Sequence, residues 1–267
     1  MTQKTFTAET VTLTKENGVG VITLNRPQVY NAMNKQLNED LLKALKDVSR
    51  DEDVRAVIVT GAGKAFCSGA DLNDRTDPNI DKLSLGNSVR DRYNPIVVTI
   101  AQMEKPVIAA VNGVAAGAGC SLALACDLRI VSEHAKFIEA FVRIGLVPDS
   151  GSSYFLPRLV GLGRAMELAL SGTDVDAEQA VQIGLANRLV PHEQLQEEAM
   201  KWASRFAQAP TKAVALTKRS LYKGMEVSLE DALEYEAQLQ DIAGKTADFQ
   251  EGVQAFMEKR PPRFTGK

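Results

Sequence analysis

An α/β fold with largely parallel strand pairing, closed by a purely helical C-terminal region, is predicted by three observations. Short apolar runs rich in Val, Ile and Ala recur from residue 54 onward, each followed by a glycine-bearing loop and then by helical spacing. Near-continuous apolar strands of this kind suit a sheet covered on both faces. Beyond Pro191 no strand pattern remains and the apolar residues recur at helical intervals. Finally, 267 residues with 45% apolar and 24% charged content are enough for a large buried core.

The elements follow in order. Residues 11–14 and 19–24 are β-rich and residues 15–18 supply the turn of a hairpin. From 32 to 49, Met33, Leu37, Leu41, Leu42, Leu45 and Val48 keep helical spacing. Residues 54–60 read as a buried strand, and 65–72 as a strand running into a glycine turn before a helix start. The polar stretch 74–88 suits a mobile surface segment, and 95–103 is helical. Residues 106–111 form another strand, broken by Asn112 and Gly113. Gly117-Ala118-Gly119 follows as a loop nearly free of side chains, before a short buried helix over 120–126. A strand over 127–132, a loop over 145–151 and helices over 165–171 and 177–183 come next. Helices are expected over 194–207, 211–223, 229–243 and 246–259, with an extended tail. The chain thus divides into a strand-helix core over 1–194 and a helical C-terminal assembly region over 195–267.

The chemistry concentrates in the glycine loop. Amides in the first turn of a helix lack intrahelical partners and sit at the positive end of its dipole. With no large side chains in the way, a ligand oxygen can reach them directly, whether phosphate or a carbonyl becoming an oxyanion. A dinucleotide site requires G-x-G-x-x-G, but Leu122 stands where the third glycine or alanine belongs, and the acid expected ~20 residues further on is not obvious. The plainer alternative is that the glycines only allow close helix packing.

Other classes are disfavoured by composition. A net charge of −3 gives no electrostatic case for nucleic acid or anionic membrane. No apolar run reaches the ~18 residues of a membrane span, and the N-terminal MTQKTFTAET lacks the apolar core of a signal peptide. A cytoplasmic location is the expectation. Cys67, Cys120 and Cys126 show neither CxxC nor zinc spacing and are expected reduced and buried. His134 and His192 have no acid at ligand spacing, so no metal site is expected, and both lie in polar turns rather than beside a nucleophile.

The segments ITLNRP, NAMN, AVIVTGAGKAFCSGADL, KPVIAAVNGVAAGAG, ACDLRI, GLVPDSGSS, LPRLVG and EGVQAFMEKRPPRF, in this order, resemble the crotonase (enoyl-CoA hydratase/isomerase) superfamily over essentially the whole chain. The resemblance implies an α/β fold built as a crotonase-type spiral of ββα turns, with a helical C-terminal trimerisation region giving a homotrimer or a dimer of trimers. It implies an acyl-CoA thioester as substrate, with coenzyme A part of that substrate and no separate cofactor. Carried over by position, the two backbone donors that hold the thioester oxygen are Ala70 and Ala118, each following a glycine, Gly69 and Gly117. Ala118 stands where the family often has glycine, which leaves the backbone donor intact. Asp71 has a second reading as the cap of the helix it begins.

Hydratases of the family use two glutamates. Their places are taken here by Ser121 and Phe141, with Glu139 two residues from the second. Asp149 in GLVPDSGSS instead resembles the catalytic acid of the isomerase branch, most closely enzymes that isomerise ring-epoxide CoA esters in phenylacetate breakdown. The alternative for Pro-Asp-Ser-Gly is a plain turn. An aspartate here also serves related dehalogenases, which need a tryptophan near the leaving group, whereas Trp202 lies among the C-terminal helices. Also by resemblance, Gln28, Val29 and Tyr30 with the segment 64–73 (Lys64, Ser68, Gly69, Asp71 and Leu72 within it) line the adenine and pantetheine path, while Phe256 and Lys259 complete the site from a neighbouring subunit. The resulting expectation is an acyl-CoA isomerase in which Asp149, walled by Phe141, Leu146 and Val147, shuttles one proton. The alternatives are a hydratase with a non-standard acid set and a catalytically silent acyl-CoA-binding member of the fold.

Overall fold

The structure, a computed structural model, describes residues 4–75 and 84–267. Strands β1 (Lys4–Thr7), β2 (Val11–Glu16) and β3 (Val19–Leu24) form an antiparallel meander, and helix α1 (Lys35–Arg50) follows, capped by the Asn34 side chain on Leu37 N–H. A repeating unit then begins. β4 (Ala56–Gly61) is followed by β5 (Ala65–Cys67), the short helix α2 (Leu85–Ser88) and α3 (Asn94–Gln102). β6 (Val107–Val111) and β7 (Val114–Ala116) lead into α4 (Ala118–Ala125). β8 (Leu128–Ser132) and β9 (Lys136–Ile138) lead into α5 (Ser152–Val160) and α6 (Leu162–Ser171). β10 (Asp174–Asp176), α7 (Ala177–Gln182) and β11 (Arg188–Val190) close the strand-bearing part.

In each repeat the first strand joins a seven-stranded sheet and the second a four-stranded sheet. β4, β6 and β8 are parallel neighbours in the large sheet, and β5, β7 and β9 in the small one. Strand, strand, helix therefore step along a common axis as a ββα spiral. The polar stretch expected over 74–88 is α2 at its end, while residues 76–83 lie outside the described residues.

Because side chains alternate across a strand, the buried central strands serve two cores. Val57, Val59, Val107, Ala109 and Val111 pack in one cluster with Leu37, Leu41 and Leu45 of α1. Ala56, Ile58, Ile108, Ala110 and Ile130 pack in a second with α8 (Leu195–Ala207). α8 contributes Leu195, Ala199, Ala203 and Ala207, a four-residue spacing of mostly small residues that lets the helix lie close on the sheet. The region after 195 is helical, as expected, with α9 (Thr211–Gly224), α10 (Leu229–Ala243) and α11 (Ala247–Met257). Its first helix, however, is a wall of this chain's own core. The later helices leave Leu229, Leu233, Phe249, Val253 and Met257 exposed.

Several elements depart from the sequence reading. The three-residue strands β7, β9, β10 and β11 carry too few residues to show a period, and sheet neighbours stabilise them. α4 starts at Ala118 rather than 120, because Gly117, with φ 50° and ψ −124°, turns the chain there. α5 was not expected. It contains Pro157 in its interior, where the missing amide hydrogen makes proline read as a helix break from sequence alone.

Candidate active site

Two turns of the spiral bring two loops together. In the first, β5 ends and Gly69 adopts φ 96°. Met33 lies alongside as a parallel bridge partner of Ala70: Met33 N–H donates to Gly69 O at 2.7 Å, and Asp71 N–H donates to Met33 O at 3.1 Å. Met33 thus uses the groups flanking Ala70, and the N–H of Ala70 itself is turned away from it. In the second loop Gly117 N–H donates to Ile138 O at 2.9 Å, and Ala118 is the first residue of α4, which has no side-chain cap. Among the described residues neither Ala70 N–H nor Ala118 N–H meets a backbone acceptor.

The loops touch. A Cβ added to Gly69 would lie 2.7 Å from Ala116 O and 3.5 Å from Ala118 N, so a larger residue there would push them apart. A Cβ added to Gly117 would meet nothing within 4 Å, so open space lies over that residue. At Gly119 it would lie 2.1 Å from Cys67 O, which explains why a helix of small residues packs against β5. Two free amides on touching loops beside open space can hold one ligand oxygen.

Buried side chains fix the first loop. Asn31 Nδ2 donates to Ala62 O, Ala65 O and Phe66 O, while its Oδ1 accepts from Arg26 N–H. Asn112 Nδ2 donates to Gly63 O and Ala65 O. Asp71 is buried, pairs with Arg26 at 2.8 Å and accepts from Asn73 N–H at 3.1 Å, so it acts as the cap of the 3₁₀ turn it precedes. Gln28 and Val29 lie in or beside a 3₁₀ turn, Pro27–Val29, with Tyr30 exposed after it. Ser68 N–H donates to Tyr30 O at 3.0 Å and Ser68 Oγ to Val29 O at 3.4 Å, which attaches this segment to the first loop. Lys64 and Leu72 are exposed on the same stretch. Phe256 is 82% exposed at the end of α11, and no described hydrogen bond or ion pair joins the Lys259 side chain to either loop.

Asp149 belongs to a third loop, which precedes α5. Ser121 Oγ, on α4, donates to Asp149 O at 2.9 Å and lies 3.3 Å from Gly117 O, so it straps the Asp149 loop to the second amide loop. Ser152 N–H also donates to Asp149 O, and Ser150 Oγ donates to Asp149 Oδ1 at 2.8 Å. Ser150 and Gly151 both take left-handed backbone, φ 53° and 84°, and for Ser150 this conformation costs of order 1–3 kcal/mol. The expected apolar wall is only partly present. Phe141 is buried and Leu146 half-buried, but Val147 is 77% exposed and faces solvent in this chain.

Sequence reasoning missed the structural part of Ser121 and the position of Glu139. Glu139 is 3% exposed, between the starts of α4 and α5. Its Oε1 accepts from Ser152 Oγ at 2.8 Å and from Cys120 Sγ at 3.3 Å, while Oε2 has no partner among the described residues. Burial pushes its carboxyl above the usual range, and the neighbouring Asp149 adds to the rise. The signal available in the sequence was a lone acid inside the apolar run FIEAF. The three cysteines are free and buried, as expected, and burial pushes Cys67 and Cys126 up to about 12.

Residues 14–267 match the family described as "Enoyl-CoA hydratase/isomerase". The chain is 46% identical over 253 residues to "1,2-epoxyphenylacetyl-CoA isomerase" of Escherichia coli (strain K12), covering 94% of this chain and 97% of that one. It is 45% identical over 250 residues to "Probable enoyl-CoA hydratase" of Rhodobacter capsulatus, covering 94% and 95%. Among solved structures, an enoyl-CoA hydratase from Bacillus anthracis superposes with a TM-score of 0.89 at 36% identity, covering 97% of this chain and all of that one. No helix among the described residues is long and apolar enough to cross a membrane.

Proposed function

The chain belongs to the enoyl-CoA hydratase/isomerase family, and we propose that within it the protein acts as an acyl-CoA isomerase with Asp149 as its proton shuttle. Its substrates are enoyl-CoA esters and, like that named for the Escherichia coli relative, ring-epoxide CoA esters. The observation that carries this reading is the Ser121 strap, which ties the backbone of Asp149 to the loop bearing the Ala118 amide.

The thioester oxygen accepts from Ala70 N–H and Ala118 N–H. Asp149 removes a proton from the carbon next to the thioester, and the electron pair moves onto the oxygen as an enolate. The proton is returned at another carbon, which shifts the double bond. With a ring epoxide, the same enolate assists opening and ring expansion. One donor of this type supplies about 3 kcal/mol of transition-state stabilisation. Gln28 to Tyr30 and the 64–73 stretch receive the coenzyme A portion, and a second subunit contributes Phe256 and Lys259 to a trimeric or hexameric assembly. Exposed apolar side chains on α10 and α11 support such an assembly.

A second reading, water addition, is favoured by the presence of another carboxyl, Glu139, whose titration is raised by burial and further by Asp149. The two readings separate when the protein is given a 3-enoyl-CoA and, in parallel, crotonyl-CoA. Isomerisation predicts double-bond migration in the first and little water addition to the second. Turnover by hydration alone would refute the isomerase. Asp149→Asn keeps the turn but cannot take up a proton, so single-turnover isomerisation should fall by about 10²–10⁴-fold with acyl-CoA affinity little changed. A rate within about threefold of the parent, a loss far smaller than that range, would assign proton transfer to another residue.

A further inference from the structure

Glu139 is a buried carboxyl that the proposed proton shuttle does not use. It lies where the second amide loop and the Asp149 loop meet. Its Oε1 takes one donor from α4, the thiol of Cys120, and one from α5, the hydroxyl of Ser152. Cys120 is two residues beyond the Ala118 amide, and Ser152 donates its backbone N–H to Asp149 O. Both donors are neutral, both reach the same oxygen, and Oε2 is buried without a partner among the described residues. The titratable groups that face Glu139 are Cys120 from α4 and Asp149 from its loop. Cys120 is held as a thiol by burial, so neither group is a cation that could offset a second negative charge.

We propose that Glu139 is a positioning residue that serves the site as an un-ionised carboxylic acid, joining the start of α4 to the start of α5 and leaving Asp149 the negative charge of the pair. The neutral state fits a carboxyl that is desolvated, beside a like charge and bonded only by neutral donors. The sign follows directly. Asp149 disfavours the Glu139 anion. When Glu139 does lose its proton, a second negative charge appears beside the loop that must stabilise an oxyanion, and turnover falls. Glu139→Gln mimics the neutral acid, because its amide oxygen can accept from Ser152 and Cys120. Glu139→Ala removes both contacts.

The catalytic part rests on the isomerase reading, so the test pairs kinetics with a measurement that needs no turnover. Isomerase kcat/KM against pH should show a descending alkaline limb in the parent that is absent in Glu139→Gln, whose plateau stays within about threefold of the parent, whereas Glu139→Ala loses about tenfold to a hundredfold through misplacement of the loops. Independently, the parent-minus-Glu139→Gln infrared difference should contain a carboxylic-acid C=O band. That band should titrate above the ordinary glutamate value of about 4.3 and move to lower pH in Asp149→Asn. A band titrating at the ordinary value, or one unmoved by Asp149→Asn, overturns the proposal. So does an alkaline limb that persists unchanged in Glu139→Gln. If the parent does not isomerise, the infrared titration still decides the state of Glu139. If Glu139→Ala does not fold, Glu139→Gln carries the test.

Discussion

The two amide loops perform matching roles in the geometry but are held by different forces. The Ala70 loop rests on polar side chains: Asn31 spans three carbonyls, Asn112 shares one of them and adds that of Gly63, and Arg26 pairs with Asp71. The Ala118 loop rests on packing, since α4 is buried on every side, has no side-chain cap and lies against β5 through Gly119. Its polar tie, Ser121, runs outward to the Asp149 loop instead. Hydrogen bonds fix direction at the cost of desolvation, whereas close packing fixes distance. A site that needs two amides at one oxygen uses both: the first loop is aimed and the second is wedged. Substitutions that change polarity should therefore damage one loop, and those that change volume the other.

Between the two loops, the largest effect is expected at Ala118. Proline is tolerated at the first position of a helix, so Ala118→Pro should leave α4 folded while deleting the amide hydrogen. Turnover should fall by about 10²–10³-fold, as for loss of one oxyanion donor, while Ala118→Gly stays near the parent. Equal activity in the two variants, with circular dichroism unchanged, would remove the donor role from this residue.

At the first loop, Asn31→Ala removes the Asn31 donor from the carbonyls of Ala62 and Phe66 in a buried corner and leaves Ala65 O to Asn112 alone. About 3 kcal/mol of stability should be lost, within the range for stranded buried polar groups, and denaturant unfolding would read it as a lower midpoint. A loss below ~0.5 kcal/mol, typical of an innocuous surface change, would mean that packing holds this loop too, and the contrast between the loops would fail.

The smallest effect is expected from Gly119→Ala, which probes the wedge. Its new methyl group meets Cys67 O, a backbone atom that cannot simply rotate away. Overpacking of this kind costs about 1–3 kcal/mol. Because the strain separates α4 from β5, kcat should fall along with thermal stability. Lost stability with unchanged kcat would show that the distance between the loops does not depend on this contact.

Much of this protein was legible in the residues alone. The hairpin, α1, the central strands β4, β6 and β8, and the helices after Pro191 are long or strongly periodic, so local pattern suffices for them. The family and the two glycine-alanine pairs were legible because conformations such as φ 96° at Gly69 and φ 50° at Gly117 favour glycine at fixed places in the chain. Tertiary structure alone decided the rest. The three-residue strands exist because neighbouring strands complete their hydrogen bonds, and α8 is core rather than appendage because its alanine face meets Ile58 and Ile108 far back in the chain. Ser121 read as an acid's empty place but works as a strap, and Glu139 read as an acid two residues from an expected place but is a buried carboxyl between two helix starts. Both roles depend on groups many residues apart in sequence. A single chain position states which donor or acceptor it carries, and only the packed fold determines what that group meets.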